Sequence, residues 1–597
     1  MVECILGNSV VVDFEWEADS FQQKINRLSV AELESVAGSI RQYLITQIAT
    51  TGGHIGANLG TIELTLSIHH TFDLEKDKLL FDVGHQGYTH KLLTGRKSLF
   101  PSLNSVDGMS RFINPAESKY DILDASHGGT ALSIGIGMAS TMPATGDDGF
   151  IVVMLGDGAF VEGMSLEALN YGSAQAAPLI VVINDNGMSI PKNVGAVNAI
   201  LSSENSAKAY FEAMGYQYHF VENGHDIAAV NEALSSAKQV TTQGVVVVHV
   251  KTEKGKGLDI ARDHPYKLHF SMPFDPDNGA STNPVPPGKS YLQVIDRCLH
   301  QFIEQDKSVY AITPSTPYAS GLEGLLKQFP ENVIDVGMAE QHAAGMAVGL
   351  SMQGKKVFLC YQSTFMQRAM DQIFHDICFT NAPITILASR SGFAGFDSAT
   401  HHAIYDLSYL RGLPNLDIFY ASSSYELEAI LKKRVEHADK PMIILHPYEI
   451  LRESDEGSAV ELDISKSEVL SSGQDGLILT VGNRIEIAEA LQAELKSIGQ
   501  DVGVVNVRWL SPLDEVTLLS AMSAAGFVIT LEENVKPAGF GASIAELVVD
   551  HELPVALVRV AIEQDYVKAG MKDDLSALCG LDVDSIMARL KRRGILN

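Results

Sequence analysis

Asp157 and Asn186 stand 29 positions apart, and each follows directly on a short apolar run. Asp157 lies in Gly156-Asp157-Gly158 after Ile151-Val-Val-Met-Leu155, and Asn186 closes Asn184-Asp185-Asn186 after Leu179-Ile-Val-Val-Ile183. Runs of that length and β-branched content predict parallel strands. Both side chains then come to strand C-terminal ends, where open α/β sheets bind their ligands. A carboxylate and an amide oxygen held there suit a hard divalent cation such as Mg²⁺ coordinated to a diphosphate. The flanking glycines let backbone come close to the phosphates. Gly-Asp-Gly alone is a common tripeptide; the two strands and the second oxygen at this spacing give it weight. A further carboxylate, Glu340, lies in Val336-Gly-Met-Ala-Glu340-Gln341-His342, between the apolar run Val333–Val336 and an Ala/Gly-rich helical stretch. A glutamate there could serve only the helix dipole, and its meaning depends on the rest of the chain.

The elements that must position these side chains read as α/β throughout. A helical pattern from about Asp19 to His70 gives way to strands alternating with helices up to about Val250, Val245–Val250 among them. Asp275 to Lys289 is dense in Pro and Gly, which excludes helix and central strand and marks a linker. Beyond it, Val333–Val336, Lys356–Cys360, Ile384–Ala388, Leu416–Tyr420 and Met442–Leu445 predict a second sheet. A third begins near Gly476 with Leu477–Val481, and continues through Val502–Val507 and Gly526–Leu531. The expected fold is three consecutive α/β domains: residues 1–274 with the diphosphate and metal motif, a linker over 275–295, then 296–460 and 461–597.

Composition narrows the class of function. With 597 residues, 46% hydrophobic and 20% charged, the chain has the make-up of an ordinary globular protein with ample core. A formal charge of −29 argues against nucleic acid or an anionic membrane as partner, because both need a basic face. Phosphorylated small molecules stay possible, since a few arginines or histidines reverse the field inside a cleft. The five cysteines, Cys4, Cys298, Cys360, Cys378 and Cys579, are scattered and read as reduced thiols. The acidic N-terminal stretch lacks a basic, then apolar leader, and no apolar run nears the ~20 residues of a membrane span. A cytoplasmic protein is expected.

Longer motifs make the chain recognisable. Gly53-His54-Ile-Gly-Ala-Asn-Leu-Gly60, Asp82-Val-Gly-His85-Gln-Gly-Tyr-Thr-His-Lys91 and Ser126-His127-Gly-Gly-Thr130 precede the metal motif, and Asn193-Val-Gly-Ala196 follows it. The second half adds Ala339-Glu-Gln-His342, Ser363-Thr-Phe-Met-Gln-Arg368, Arg390-Ser-Gly-Phe-Ala-Gly-Phe-Asp397, Ser398-Ala-Thr-His401 and Asp406-Leu-Ser-Tyr-Leu-Arg411. Over nearly its whole length the sequence resembles the transketolase superfamily, and within it the 1-deoxy-D-xylulose 5-phosphate synthase family.

The resemblance implies thiamine diphosphate and Mg²⁺ as cofactors, held between the first two domains, and a homodimer. Asp157, Asn186 and the Met188 carbonyl would bind the metal. His85, His127, Gly128, Gly129, Gly158, Ala159 and Asn186 would line the cofactor, with Phe365 stacked on its aminopyrimidine. Glu340 would protonate the pyrimidine nitrogen N1′. The two-carbon enamine left by pyruvate would then add to an aldehyde such as glyceraldehyde 3-phosphate. His54, His401 and His269 are the expected proton shuttles, His269 on the thinnest ground because its segment shares little with the family. Arg368 and Arg390 would bind substrate anions, and Asp397 would orient His401 or touch substrate.

The chain departs from the family pattern where the acceptor is bound. Leu445-His446-Pro447-Tyr448-Glu449 replaces a Tyr-Pro-Arg-Gly motif, removing an arginine and adding a carboxylate that would repel phosphate. Gln362 stands where a tyrosine precedes Ser-Thr-Phe, and Leu258 where another follows Lys-Gly-x-Gly. Only Val197–Met214 separates Asn-Val-Gly-Ala from Gly215-Tyr-Gln-Tyr218, where relatives carry some tens of residues more. Local cations such as Arg452 could substitute. Equally, the acceptor could be non-phosphorylated, or the donor a ketose as in transketolase. A 2-oxoacid dehydrogenase component lacks its signature residues here. A non-enzymatic relative would need to have lost Asp157, Asn186 or Glu340, and all three are present.

Overall fold

The computed structural model describes residues 20–596 apart from 125, 147, 175–177, 242–243, 283–289, 396, 448, 450–462 and 564–565. Arg452, the expected start of the third domain near 461 and residues 283–289 of the linker therefore lie outside the described residues. The chain forms two compact units: Met1–Val285 with Gly337–Ala339, and Pro286–Val336 with Glu340–Asn597.

Unit one holds a five-stranded parallel sheet of β1 (Lys78–Phe81), β2 (Ile151–Gly156), β3 (Leu179–Asp185), β4 (Gln217–Val221) and β5 (Val246–Lys251), in the order β1-β2-β3-β5-β4. The expected strands are present; β1 and β4, short or half-exposed, were not legible. The two-residue period of the strands sends successive side chains to opposite faces. Ile151, Val153 and Leu155 pack with Leu132, Ile136 and Leu169 on one face, and Val152 and Met154 with Leu64, Ile68 and Phe72 on the other. A sheet buried on both faces exposes chemistry only at its ends, and Asp157 and Asn186 follow directly on β2 and β3.

The second unit begins its described chain with Ser290, which caps the helix Tyr291–Gln305 through a reciprocal bond pattern with Gln293. Residues 291–295, expected as the end of the linker, are thus the start of that helix. Its strands are β6 (Val309–Thr313), β7 (Val333–Asp335), β8 (Lys356–Gln362), β9 (Thr385–Ser389), β10 (Asp417–Tyr420), β11 (Met442–His446), β12 (Glu468–Ser471), β13 (Gly476–Thr480), β14 (Val502–Asn506), β15 (Trp509–Ser511), β16 (Phe527–Val535) and β17 (Ala556–Ile562). They form two sheets, β15-β10-β11-β9-β8-β6-β7 and β12-β14-β13-β16-β17. All pairs are parallel except those made by β12 and β15, which lie antiparallel at edges. Because β15 comes from the C-terminal region yet pairs with β10, the two sheets are stitched together. One apolar cluster runs from Leu359, Ile386 and Ile443 to Leu479, Val505 and Phe540, so they bury a common core. Among the described residues no helix is long and apolar enough to cross a membrane.

Candidate active site

Asp157 opens the short helix Asp157–Phe160 directly after β2 and is almost fully buried. Its Oδ2 accepts from Asn193 Nδ2 at 2.7 Å, while Oδ1 is buried without a hydrogen-bond partner among the described residues. Burial first, then neighbouring Asp185, pushes the carboxyl up to about 8. An orphaned, strained carboxyl is what a bound cation would relieve, so the residues fit a metal at this position. Asn186 is half-buried, and its Oδ1 accepts from the Met188 N–H at 3.1 Å, which folds the loop after β3 into an Asx turn. That turn fixes the orientation of both Asn186 and the Met188 carbonyl. Among the described residues no cluster of three or more His, Cys, Asp or Glu side chains could hold a metal. A cation here would rest on one carboxylate, an amide and a carbonyl.

The turns around this carboxyl are tightly built. A Cβ on Gly158 would lie 2.6 Å from Ser189 Cβ, so only glycine lets the helix start approach the loop after β3. Gly129 N–H and Ala131 N–H donate to the Asp82 carboxylate at 2.8 and 3.0 Å, which pins the Gly128-Gly129 turn at the head of the helix Ala131–Thr145. His127, half-buried, stands beside that turn in the chain, and Ala159 is buried in the helix that Asp157 opens. Lys254, nearly fully buried, donates to Ser189 O at 2.7 Å, and burial lowers its ammonium to about 7, against the pull of Asp157. Sequence reasoning missed Lys254, Asp82 and the link from Asn193. The Asn-Val-Gly-Ala motif did contain Asn193, but its reach to Asp157 is a product of the fold.

Three of the predicted histidines come together in the first unit. The ring of His54 lies 5.3 Å from that of His85 and 5.4 Å from that of His269, and His85 and His269 are 5.0 Å apart. Phe112 and Phe270 close on His54 at 5.3 and 5.5 Å. His269 reaches this cluster because its loop is laced to the His54 turn. Gly53 and Ser271 exchange both backbone bonds at 2.9 Å, and Gly56 N–H donates to Leu268 O at 2.9 Å. A Cβ on Gly56 would fall 1.9 Å from Lys267 O, so that lacing requires glycine. Lys267 and Leu268 both take positive φ, at 50° and 48°, a cost of about 1 kcal/mol or more each that aims His269 inward. Burial holds two of these rings toward neutrality: His85 falls to about 3 and His269 is well below its ordinary value, with Lys254 adding to both.

In the second unit Glu340 starts the helix Glu340–Met352. It is buried, its Oε2 has no hydrogen-bond partner among the described residues, and burial raises the carboxyl to about 7. Tyr361 Oη donates to the Glu340 carbonyl at 2.6 Å and fixes the helix start against β8. Phe365, on the short helix Ser363–Met366, lies edge-to-face with His401 at 5.5 Å. Ser398 Oγ lies 2.7 Å from His401 Nδ1 and helps to orient the ring. Asp397 accepts from Arg390 Nη1 at 3.0 Å. Arg390 itself takes φ 63°, a strained backbone that sets the direction of its side chain. Arg368 is half-buried in the turn Gln367–Ala369.

Asp406 ties these motifs together and was not predicted. It is buried and accepts from Ser363, from Ser391 at 3.3 Å and from Tyr409 at 3.1 Å, joining three recognisable segments at one carboxyl. On the other side Glu533 accepts from Phe393 N–H, from Asn483 at 3.0 Å and from Arg484 at 2.6 Å. Glu449, the carboxylate expected to repel phosphate, pairs with Lys572 at 3.1 Å and accepts from Asn483 at 2.8 Å. His446 is buried beside Tyr291 with neither ring nitrogen hydrogen-bonded among the described residues, and burial lowers it to about 4.

Comparison with known proteins gives the family of the chain. Residues 18–212 match the family model described as 1-deoxy-D-xylulose-5-phosphate synthase, residues 288–453 the transketolase pyrimidine binding domain, and residues 465–586 the transketolase C-terminal domain. The 1-deoxy-D-xylulose-5-phosphate synthase of Listeria monocytogenes is 36% identical over 585 residues, covering 95% of this chain and 95% of its own. That of Shouchella clausii is 37% identical and covers 94% of this chain and 96% of its own. The 1-deoxy-D-xylulose-5-phosphate synthase 2 of Geobacter sulfurreducens is 35% identical, covering 94% and 97%. The chain belongs to the 1-deoxy-D-xylulose-5-phosphate synthase family, thiamine diphosphate-dependent transferases of the transketolase type.

Proposed function

We propose that this protein decarboxylates pyruvate and joins the two-carbon remainder to an aldehyde such as glyceraldehyde 3-phosphate, using Mg²⁺ with its thiamine diphosphate. The observation that carries the reading is a pair of buried carboxyls, Asp157 and Glu340, each with an oxygen left unsatisfied. One is suited to a cation and the other, raised to about 7, is suited to hold a proton near neutral pH. The cofactor, when bound, supplies the nucleophilic carbon and electron sink that make loss of CO₂ from a 2-oxo acid possible.

The residue roles proposed are those that the family resemblance implies. Asp157, Asn186 and the Met188 carbonyl would hold Mg²⁺, and Gly128, Gly129, Gly158 and Ala159 would offer backbone to the diphosphate beside His85 and His127. Glu340 would keep a proton at N1′ of the aminopyrimidine, and Phe365 would stack on that ring. His54, packed against His269, and His401, held by Ser398, would accept and return a proton. Arg368 and Arg390 would bind substrate carboxylate or phosphate. A homodimer working in the cytoplasm is proposed with it; the unpaired Cys298, Cys360, Cys378 and Cys579 suit a reducing compartment.

A second reading concerns the acceptor. Among the described residues Arg390 is matched by Asp397, Arg484 by Glu533 and Lys572 by Glu449, which leaves these three cations less available to a phosphate dianion. An uncharged aldehyde acceptor suits that balance, as does a ketose donor in place of pyruvate. One experiment tests both: purified protein with Mg²⁺, thiamine diphosphate and pyruvate is given phosphorylated and free aldehydes, and CO₂ and ketose are followed. CO₂ release matched by ketose formation is expected. Turnover only with a ketose donor, without CO₂, would sink the pyruvate reading.

A further inference from the structure

The sequence carries 73 acidic residues against 44 lysines and arginines, yet one concave surface of the second unit is strongly basic. A cavity of about 510 Å³ is lined by Lys536, Arg559, Arg589, Arg592 and Arg593, with Glu563 and Leu557 completing it. Lys536 follows β16, Arg559 sits on β17, and Arg589 and Arg592 end the helix Val583–Arg592, which Arg593 caps. Backbone carbonyls fix the guanidinium groups. Arg589 Nη1 donates to Arg559 O at 3.1 Å, Arg593 Nη1 to Leu557 O at 3.2 Å and Arg559 Nη1 to Lys536 O at 3.5 Å. Each bond uses one of five N–H donors and leaves the rest of the fork available.

The charge balance is lopsided. Lys536 pairs with Glu563 at 3.0 Å, and among the described residues none of the four arginines has an ion pair. Glu532 also feels Arg559, but burial raises its carboxyl to about 8, and its oxygens accept from Phe540 N–H and Gly541 N–H at 2.6 and 2.7 Å. Basic residues favour a helix C-terminus, which accounts for Arg589 and Arg592. It does not account for Lys536 and Arg559, which reach the same bowl from two strands. Five like charges around one cavity repel one another, and a multivalent anion is what relieves them. Planar guanidinium forks match phosphate oxygens in particular.

We propose that this cavity binds the diphosphate group of a small molecule, separately from the cofactor site. Among the described residues Leu557 is its only apolar lining residue and none is aromatic, so the phosphate oxygens are recognised and an attached base or chain is not.

Hydrogen exchange of the holoenzyme, saturated with thiamine diphosphate, tests this by position. Inorganic diphosphate is expected to protect Ala556–Ile562 and Val583–Arg592, and ADP to do so with similar affinity. Arg592→Glu should weaken that protection at least about tenfold, whereas Lys591→Glu, on the same exposed helix end but outside the lining, should leave it within about twofold. The proposal is overturned if diphosphate protects neither segment. It is equally overturned if the two variants weaken protection alike, if ADP binds more than about tenfold tighter than diphosphate, or if only a single-stranded oligonucleotide gives protection.

Discussion

Asn193 Nδ2 donates to Asp157 Oδ2 at 2.7 Å and so turns the other oxygen of that carboxyl, Oδ1, into a buried acceptor with no protein donor among the described residues. The amide orients the carboxyl as outer partners orient metal ligands elsewhere. Asn193→Ala should therefore lower Mg²⁺ affinity, measured in saturating thiamine diphosphate, by about 10- to 100-fold. The metal-free protein should melt within a few degrees of the parent, because Asn193 is half-buried and near the surface. A Mg²⁺ titration of cofactor-dependent thermal stabilisation reads both quantities. An unchanged midpoint would remove Asn193 from the site.

Glu340 makes a prediction whose sign depends on pH. Burial raises its carboxyl from 4.5 to about 7, so the fold favours the protonated form. Its contribution to stability is whole below the ordinary value and is lost as pH rises through about 7. Glu340→Gln keeps the neutral shape at every pH. The variant's stability, relative to parent and without cofactor, should thus be similar at pH 4.5 and greater at pH 8 by on the order of 3 kcal/mol, which a higher Tm at pH 8 alone would register. Turnover should fall below detection at both. Parallel melting curves across that range would show that the carboxyl ionises freely in the fold.

Much of this was legible in the sequence, for a physical reason. β2, β3 and β5 are buried on both faces and must be apolar throughout, so Ile151–Leu155, Leu179–Ile183 and Val245–Val250 stand out from the chain. Edge strands carry no such demand, and β12 and β15, antiparallel at their sheet margins, escaped notice. The same contrast divides the site. Asp157 and Glu340 sit at strand ends where local pattern points to them. Lys254, Asp406 and Glu533 matter through partners 40 to 140 positions away, such as Ser363 for Asp406 and Phe393 for Glu533. No spacing rule announces such pairs. His269 was the weakest expectation because its segment looked unfamiliar; backbone pairing of Ser271 with Gly53 is what brings it beside His54.

Asp406 should be the most costly of the unpredicted residues to lose. It is fully enclosed and receives the hydroxyls of Ser363, Ser391 and Tyr409. Asp406→Ala leaves those donors facing a void, at a cost of about 2–4 kcal/mol. Tm should drop by several degrees, and Ser363→Ala, which removes one donor and leaves the carboxyl two others, should cost clearly less. Equal losses in the two variants would mean that Ser363, not Asp406, is the joint.

On the proposed function, Glu449 and Lys572 set how the acceptor end treats a phosphate. At 3.1 Å the pair is neutral overall, and Glu449 is also tied to Asn483, which bonds the Glu533 that holds the Phe393 N–H. Glu449→Gln keeps the Asn483 contact through its amide oxygen and frees the Lys572 ammonium. If this end of the site faces the acceptor, kcat/KM for a phosphorylated aldehyde should rise relative to the free aldehyde. Two charges 4–6 Å apart at a half-exposed position exchange about 1 kcal/mol after solvent screening, which is about fivefold in that ratio. Lys572→Ala, leaving Glu449 only the more distant Arg484 at 4.0 Å, should move the ratio the other way by a similar or smaller factor. Both ratios are read from initial rates with matched aldehydes at one ionic strength, since raising salt should shrink each effect. A ratio that moves in neither variant would detach Glu449 from acceptor choice altogether.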